Sequence, residues 1–360
     1  MKNNNFCVIM AGGTGTRFWP LSTKKKPKQF LDILGVGKTL LQQTYERCKK
    51  ISPVENILVV TNERYKDLTA EQLPELKKHQ ILLEPEKKNT APCIAYSNYK
   101  IESLNPNANI AVLPSDHLIT KEEEFIRIIK DGFQFTEKNN ALLTLGITPH
   151  RPETGYGYIQ IGEKIDSSNI YKVKTFTEKP NKDLAQKFFE SGEYYWNSGI
   201  FIWSLDAIKK SFQEHLPDID TLFSKGMGIY NTKKEADFIS KVYFETRSIS
   251  IDYGVMEKSQ NVYVYTSDFG WADLGTWGSL HEFLDGDEQG NSVSGKNVML
   301  YNVEDSIVKF PDEKVAVIKG LKGYIIVDSE DKLLIYKKSD EQEIKDIVET
   351  IKKEKGEKYI

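Results

Sequence analysis

Short apolar runs alternate with longer helical patterns through the first third of the chain, and this alternation limits the possible folds more than any other feature. The runs have the β-rich or continuously apolar character of strands buried on both faces: Phe6–Met10, Ile57–Val60, Ile81–Leu83, Ile110–Leu113 and Ala141–Leu145. Between them, apolar residues recur at the spacing of amphipathic helices in Thr39–Lys50, Glu63–Leu73, Ala91–Leu104 and Glu122–Glu137. The alternation predicts an α/β fold, a mostly parallel sheet with helices on both faces, in which ligands bind beyond the carboxyl ends of the strands.

Beyond Arg151 the pattern becomes mixed, and we interpret the stretch up to about Phe283 as an α+β elaboration of the same domain. Strand-like and helical segments are interspersed there, namely Gly155–Ile161, Lys182–Glu190, Gly199–Trp203 and Leu205–Gln213. Asp285–Gly295 is rich in Asp, Gly, Asn and Ser, a composition that predicts a linker. The main domain is therefore predicted to occupy residues 1–286.

The stretch after this linker is predicted to be a small β domain closed by a helix, at residues 287–360. Its short β-type runs are Val298–Tyr301, Ser306–Lys309, Val315–Ile318, Tyr324–Val327 and Leu333–Tyr336. The helix is predicted for Glu341–Lys353, where Ile344, Ile347, Val348 and Ile351 share one face.

Charge and cysteine content exclude several classes of protein. A formal net charge of −3 gives no electrostatic reason to expect a nucleic-acid partner. The three cysteines include no C-x-x-C pair and the five histidines lack zinc spacing, so neither disulfides nor structural zinc is expected. Phe6–Met10 is too short for the apolar region of a signal peptide, and no run of about 20 apolar residues could span a membrane. We expect a cytoplasmic protein with no membrane partner.

The first strand runs into a glycine-rich segment, Ala11–Arg17, whose chemistry suits phosphate. Glycines just past a strand let backbone N–H groups approach phosphate oxygens closely. Arg17 adds a planar fork of donors and Lys28 adds a point charge. The candidate phosphate contacts within the segment are Ala11, Gly12, Gly13, Gly15 and Thr16. A plain glycine turn with solvated cations is the alternative.

Two other phosphate-binding motifs fail on the residues. A dinucleotide-binding G-x-G-x-x-G motif would use Gly13 and Gly15, but its third glycine would fall on Phe18. A G-x-x-x-x-G-K-[ST] loop ending in Gly37-Lys38-Thr39 would need glycine where Asp32 stands. The sequence therefore favours neither a dehydrogenase nor a P-loop kinase.

Two acids occur where a metal or nucleotide ligand is plausible. Asp116, in Leu113–His117 with Ser115 before it, follows a buried-strand pattern at the ligand end of the sheet. Asp there caps a turn as readily as it binds a ligand. Asp273 lies among aromatic residues in Gly270–Trp277, where an unpaired buried carboxylate would be costly.

The order of several motifs closely resembles that of the nucleoside-diphosphate-sugar pyrophosphorylases. Ala11–Arg17 with Pro27–Gln29 carries the resemblance, and Phe18–Ser22 is similar to the mannose-1-phosphate guanylyltransferase branch. It continues through Glu84–Pro92, Leu113–His117, Glu153–Ile159, Thr177–Pro180, Trp196–Trp203, Ser250–Lys258 and Gly270–Trp277. The resemblance thus covers the chain from about Phe6 to Trp277. It implies a Rossmann-like, GT-A-like mixed sheet flanked by helices.

The resemblance also implies an activity, the joining of GTP and mannose 1-phosphate to give GDP-mannose and pyrophosphate. Arg17 and Lys28 would be catalytic, and Asp116 and Asp273 would hold one Mg²⁺. The nucleotide would contact the glycine-rich segment, Ser115 and Asp116, with Asn89 and Thr90 near the base. The sugar phosphate would contact Gly155, Glu178, Lys179, Asn197 and Asp252. Taken singly, Glu178-Lys179 is more simply explained as a surface Glu–Lys pair before a turn proline. The segment Glu84–Pro92 has an alternative explanation as a polar turn in which Thr90 caps the following helix.

Several alternatives stay open at this point. Another nucleotide, another hexose or heptose 1-phosphate, or a non-catalytic regulatory protein would fit the same motifs. Asp252 is a candidate at either the sugar or the metal. For the C-terminal domain the resemblance implies a short left-handed β-helix, a fold used in dimer contacts, although Asn291–Tyr336 carries no clean hexapeptide repeat.

Overall fold

The computed structural model describes residues 4–13, 15–166 and 168–360, which form two compact units. Among the described residues, unit one comprises 4–12, 42–115 and 119–271, and unit two comprises 13–41, 116–118 and 272–360. The predicted domain boundary at residue 286 stays a prediction.

A nine-stranded mixed sheet forms the centre of unit one, in the order β3-β2-β1-β4-β9-β6-β10-β8-β7. The strands up to the end of unit one are β1 (Asn5–Met10), β2 (Ile57–Asn62), β3 (Ile81–Glu84), β4 (Asn109–Pro114), β5 (Leu118–Ile119), β6 (Leu142–Ile147), β7 (Tyr158–Lys164), β8 (Ile170–Thr177), β9 (Tyr194–Ser204), β10 (Val262–Ser267) and β11 (Trp271–Ala272). β1 pairs in parallel with both β2 and β4, whereas β9 runs antiparallel to β4 and β6. The predicted mostly parallel first half and its mixed continuation are confirmed.

Helices separate these strands as the alternation predicts. They are α1 (Leu40–Lys49), α2 (Lys66–Gln72), α3 (Thr90–Glu102), α4 (Glu122–Lys138), α5 (Lys182–Ser191), α6 (Leu205–His215), α7 (Pro217–Ser224) and α8 (Glu235–Glu245). α3 is buried from Ala91 to Ile101, so it packs as a core helix and not as an amphipathic surface helix. The pattern did not predict α7, α8, β8 or β10.

The central strands are buried because both of their faces are apolar. Val8, Leu58 and Val112, on three neighbouring strands, are completely inaccessible to solvent and belong to one core with the α3 residues. Burying such a side chain contributes roughly 1.5–3 kcal/mol. The carboxyl ends of β1, β2 and β4 therefore occupy well-defined positions.

Parallel strands at alternate positions in the chain stack into two sheets in unit two. Its elements are α9 (Trp277–His281), β12 (Ser292–Ser294), β13 (Val298–Tyr301), β14 (Ile307–Lys309), β15 (Ala316–Lys319), β16 (Tyr324–Ser329), β17 (Lys332–Lys337) and α10 (Ile344–Lys355). β12, β14 and β16 pair in parallel, and β13 pairs in parallel with β15. That these strands form a short left-handed β-helix stays a prediction.

The prediction that the linker extends to Gly295 was wrong. The predicted linker Asp285–Gly295 contains β12, whose Ser292 pairs with Ile307 of β14. Polar serines on both sides of Val293 hide this strand from an apolar pattern, and only pairing with β14 reveals it.

Unit two has its own apolar core, which joins distant parts of the chain. Phe18, Trp19, Leu274, Trp277, Ile325, Ile344 and Ile360 are all buried in it. The C-terminal residues thus pack in the same core as those following the glycine-rich segment.

Two findings concern the described residues only. No helix among them is both long and apolar enough to cross a membrane. The cysteines Cys7, Cys48 and Cys93 are buried free thiols.

Candidate functional site

The glycine-rich segment begins at the end of β1, where Ala11 is fixed by its neighbours. The Ala11 N–H donates to the Val60 carbonyl at 2.8 Å, and the Ala11 carbonyl accepts from Thr61 Oγ1 at 3.0 Å. Gly12 permits a close approach, since a Cβ there would lie 3.2 Å from Glu84 Oε2. The loop end in unit one is thus packed against a carboxylate.

Glu84 is a polar residue whose role the sequence did not suggest. It is buried at the end of β3, and its Oε1 accepts from the Tyr243 hydroxyl at 2.9 Å. Burial raises the pKa of Glu84 to about 7, although the bond from Tyr243 opposes the shift. Glu84 lies at a strand end and is the first residue of the motif Glu84–Pro92, and this position could have indicated a role at the site.

Asn89, Thr90 and Ser115 have defined structural partners in unit one. Asn89 caps α3 with a side-chain oxygen that accepts from Thr90 N at 3.0 Å, with φ of 69°. Thr90 Oγ1 accepts from Ile251 N at 2.8 Å, so Asn89 and not Thr90 is the cap. The Ser115 N–H donates to Met10 O at 3.0 Å. Their assignment to the nucleotide stays a prediction.

In unit two, glycine is required at position 15. Gly15 has φ of 58°, and a Cβ there would lie 2.5 Å from the Lys28 Cβ. The carbonyl of Gly13 accepts from Gln29 Nε2 at 2.9 Å. The turn Thr16–Phe18 follows, while Thr14 of the same motif lies outside the described residues.

Arg17 lies on this turn, and one of its guanidinium N–H donors is unsatisfied among the described residues. In the part of the chain that the structure describes, its buried Nε has no hydrogen-bond partner. A buried donor without a partner costs about 1–3 kcal/mol, so an anionic oxygen that accepted from it would relieve that cost. This fits the predicted phosphate contact.

Lys28 is buried and makes three strong contacts with its ammonium group. Nζ lies 2.9 Å from Asp116 Oδ2, 2.8 Å from the Asp273 carbonyl and 2.9 Å from the Leu274 carbonyl. We call these four residues the lysine-centred cluster. An ammonium group has three N–H donors, so these contacts use its whole capacity. Lys28 thereby joins Asp116 and Asp273, which are far apart in sequence.

The two acids of this cluster differ in how they are held. Burial raises the pKa of Asp116, but the charges of Lys28 and His117 and the bond from Lys28 outweigh it, so the pKa lies below its ordinary value. The Asp273 carboxylate accepts from the Gly275 N–H at 3.0 Å. No group of three or more His, Cys, Asp or Glu side chains suited to a metal occurs among the described residues.

A second polar cluster, in unit one, brings together four of the predicted sugar-phosphate residues. Asn197 Nδ2 donates to Asp252 Oδ1 at 2.8 Å, and Lys179 Nζ forms an ion pair with Glu178. Asn197 Oδ1 also accepts from Thr144 Oγ1 at 2.9 Å. We call Glu178, Lys179, Asn197 and Asp252 the paired-acid cluster.

The electrostatics of the paired-acid cluster favour a proton. Burial, followed by the charge of Glu178, raises the pKa of Asp252 to about 7. Lys179 balances this only in part, because 58% of its side chain is exposed whereas 7% of that of Glu178 is. Lys179 also has φ of 48°, a backbone conformation uncommon outside glycine.

The glycine that approaches this cluster is Gly157, not the predicted Gly155. A Cβ at Gly157 would lie 2.4 Å from Glu178 Oε2 and 3.3 Å from the Asn197 Cβ. Gly155 is exposed, and its N–H donates to Glu153 Oε1 at 2.9 Å. The motif Gly155-Tyr-Gly157 contains both, and only packing distinguishes them.

Comparison with known proteins gives the context of these clusters. The profile of the nucleotidyl transferase family matches residues 6–290. A mannose-1-phosphate guanylyltransferase of Salmonella montevideo is 39% identical over 363 residues, covering 98% of this chain and 75% of that protein. One from Escherichia coli is 38% identical over 352 residues, covering 95% and 74%. A crystal structure described as mannose-1-phosphate geranyltransferase, from Thermus thermophilus, has 30% identity and a TM-score of 0.87, covering 97% of this chain and 100% of that one.

The chain therefore belongs to the nucleotidyl transferase family and has its α/β fold. Within that family, the curated relatives that it resembles over almost its whole length are mannose-1-phosphate guanylyltransferases.

Proposed function

We propose that this protein transfers the GMP moiety of GTP to mannose 1-phosphate, giving GDP-mannose and pyrophosphate. The observation that carries the proposal is identity of 38–39% with mannose-1-phosphate guanylyltransferases over 95–98% of the chain. The lysine-centred cluster supports it, because Lys28 contacts the Asp116 carboxylate and the main chain of Asp273 and so brings two acids near one cation.

The proposed reaction is a single in-line displacement. A phosphate oxygen of mannose 1-phosphate attacks the α-phosphorus of GTP and a new P–O bond forms. The bond from that phosphorus to its bridging oxygen breaks, and pyrophosphate leaves with the electron pair. The attacking oxygen is already ionised near neutral pH, so the residues have to position and neutralise charge and no strong general base is needed.

Arg17 and Lys28 are proposed to have different roles in positioning and neutralising the phosphates. Arg17 would donate to phosphate oxygens through a guanidinium that already has a buried donor to spare. Lys28 would act first through its acceptors, because it holds the Asp116 carboxylate and the main-chain carbonyls of Asp273 and Leu274. A direct contact from Lys28 to phosphate would require one of these bonds to be exchanged.

Magnesium fits the donor set. Mg²⁺ binds through one or two protein carboxylates, and substrate phosphates and waters complete its octahedron. Asp116 and Asp273 offer two carboxylates, and the lowered pKa of Asp116 keeps it ionised. Bound there, Mg²⁺ would supply charge neutralisation at the phosphates. We propose these two acids as its protein ligands.

The paired-acid cluster is proposed to bind the sugar. Glu178, Asn197 and Asp252 offer acceptors and an amide donor for sugar hydroxyls, and the exposed Lys179 ammonium suits the sugar phosphate. A different hexose phosphate would meet the same groups, so the assignment of mannose as the sugar rests on the similarity to the relatives.

Pyrophosphate release tests the proposal. Each of four NTPs is paired with mannose 1-phosphate and with glucose 1-phosphate, with and without Mg²⁺. We expect turnover with GTP and mannose 1-phosphate in the presence of Mg²⁺. A higher rate with another pair would reassign the substrate, and no release with any pair would favour a regulatory protein.

A further inference from the structure

The last twenty residues of the chain, which we call the C-terminal strap (341–360), hold the turn that carries Arg17. α10 packs against the turn Thr16–Phe18, and Val348 and Ile360 are buried in the core that contains Phe18. Trp19 Nε1 donates to the Tyr359 carbonyl at 2.7 Å. The conformation of the turn thus depends on residues that come more than 300 positions later.

Lys24 adds a weaker contact to the strap. Its Nζ lies 2.9 Å from Glu357 Oε1, with both side chains at least partly exposed. Exposed pairs of this kind contribute little to stability. The apolar packing and the bond from Trp19 therefore account for most of the attachment.

Glu341, at the start of the strap, has a specific acceptor role. Its Oε2 accepts from the Gly278 N–H at 2.6 Å, and a Cβ at Gly278 would lie 2.9 Å from Oε1. A side chain at position 278 would displace this carboxylate. Burial raises the pKa of Glu341, although the bonds from Gly278 and Thr276 and the charges of Lys338 and Arg17 oppose the shift.

Gly278 is the last residue of the segment Asp273–Gly278, which contributes two residues to the lysine-centred cluster. Asp273 and Leu274 supply carbonyls to Lys28, and the Trp277 ring lies 5.1 Å from that of Phe18. The Glu341 carboxylate therefore contacts this segment through Gly278.

We propose that Glu341 is a positioning residue for the phosphate-binding groups of unit two. It holds the segment Asp273–Gly278 by its bond to Gly278, and that segment supplies two carbonyl acceptors to Lys28. The inference rests on the proposed function, since it takes the lysine-centred cluster to serve phosphate.

The first test compares Glu341→Gln and Glu341→Ala with Glu343→Gln. Glu343 accepts from the Tyr336 hydroxyl at 2.9 Å and is exposed, which makes it a matched acid in the same region. Glutamine keeps an acceptor for Gly278 and loses the charge. We expect kcat to fall about 100-fold in Glu341→Ala, since small misplacements have such effects. We expect a fall of about tenfold in Glu341→Gln and none in Glu343→Gln.

A double variant separates positioning from mere stability. If Glu341 acts through the segment that contacts Lys28, Glu341→Ala should lower kcat much less in a Lys28→Met background than in the wild type. Equal losses in both backgrounds would overturn the coupling to Lys28. Melting temperatures, measured for every variant, identify any that fail to fold, and Glu341→Gln then carries the test.

Pyrophosphate binding, measured by calorimetry, keeps the test independent of turnover. Weaker binding in Glu341→Ala, but not in Glu343→Gln, supports the inference even if no substrate pair is turned over and the proposed function fails. Turnover in the wild type with unchanged kcat and pyrophosphate affinity in Glu341→Ala would overturn the inference and leave the proposed function intact.

Discussion

The lysine-centred cluster and the paired-acid cluster contain similar groups in opposite electrostatic states. Each has two acids and one lysine. In unit two the lysine is buried between its acceptors, and the pKa of Asp116 falls below its ordinary value. In unit one the lysine is mostly exposed, and the pKa of Asp252 rises to about 7. Asp116 has a buried cation that outweighs its own burial, whereas at Asp252 burial and the charge of Glu178 outweigh Lys179.

This difference matches the proposed roles. A cluster for Mg²⁺ and phosphate needs ionised carboxylates, whereas a neutral acid can still exchange hydrogen bonds with sugar hydroxyls. Substitutions that remove the cation or an acid of a cluster, or the glycine that approaches it, test this difference.

Lys28→Met should have the largest effect, because it makes the acids of unit two resemble those of unit one. We expect a rate loss of ~100–1000-fold, as for other preorganised charges, and a stability loss of roughly 1–3 kcal/mol. Titration of the Asp116 carboxyl by NMR should show a raised pKa. Lys25→Met, at an exposed neighbour, is the control. An unchanged Asp116 titration would refute our explanation of the low pKa.

Arg17→Ala and Asp273→Asn test the catalytic assignment with less effect on folding. Each should cost about 2.7–4 kcal/mol of barrier, a ~100–1000-fold loss of kcat/KM for pyrophosphate release. Asp273→Asn should also raise the Mg²⁺ concentration needed for half-maximal rate. Near-normal turnover in either variant would remove that residue from the mechanism.

Gly157→Ala addresses the paired-acid cluster. Its Cβ would meet the Glu178 carboxylate, so we expect a raised KM for the sugar phosphate and a stability loss of about 1–3 kcal/mol from overpacking. The KM for the nucleotide should change little. Gly155→Ala is the matched control, and an equal effect there would show that packing at Gly157 is not the reason.

Asp252→Asn should have the smallest effect on the rate, and its clearest consequence should be a changed pH dependence of stability. The folded-state pKa of about 7 lies above the ordinary value of 3.8, so the folded protein binds more protons between about pH 4 and 7. The contribution of Asp252 to stability therefore falls as pH rises through this window, and Asp252→Asn should flatten the slope.

Thermal melts between pH 5 and 8 test the Asp252 prediction. Asp237→Asn, at an exposed acid on α8, serves as the control. An unchanged slope in Asp252→Asn would contradict the raised pKa.

Sequence patterns predicted much of the sheet because apolar periodicity is a local property. The runs at β1, β2, β3, β4 and β6 could be recognised from residues that are buried on both faces. α7 and α8 were missed in the mixed stretch, and β12 was missed because its pairing with β14 is not local. The site residues were located as motifs, but Glu84, Gly157 and Glu341 were not assigned a role.

The sequence by itself determined the alternating fold and the family. It also identified Gly15 as part of a glycine-rich segment suited to phosphate. Each depends on residue types at short spacing, where backbone geometry and apolar burial leave few choices. Only the tertiary structure decided that one lysine would join Asp116 to Asp273, that Gly157 would face Glu178, and that Glu341 would contact Gly278. These contacts join positions far apart in the chain, and the pKa shifts of Asp116 and Asp252 depend on burial and on charges that the fold brings to them, which no local pattern contains.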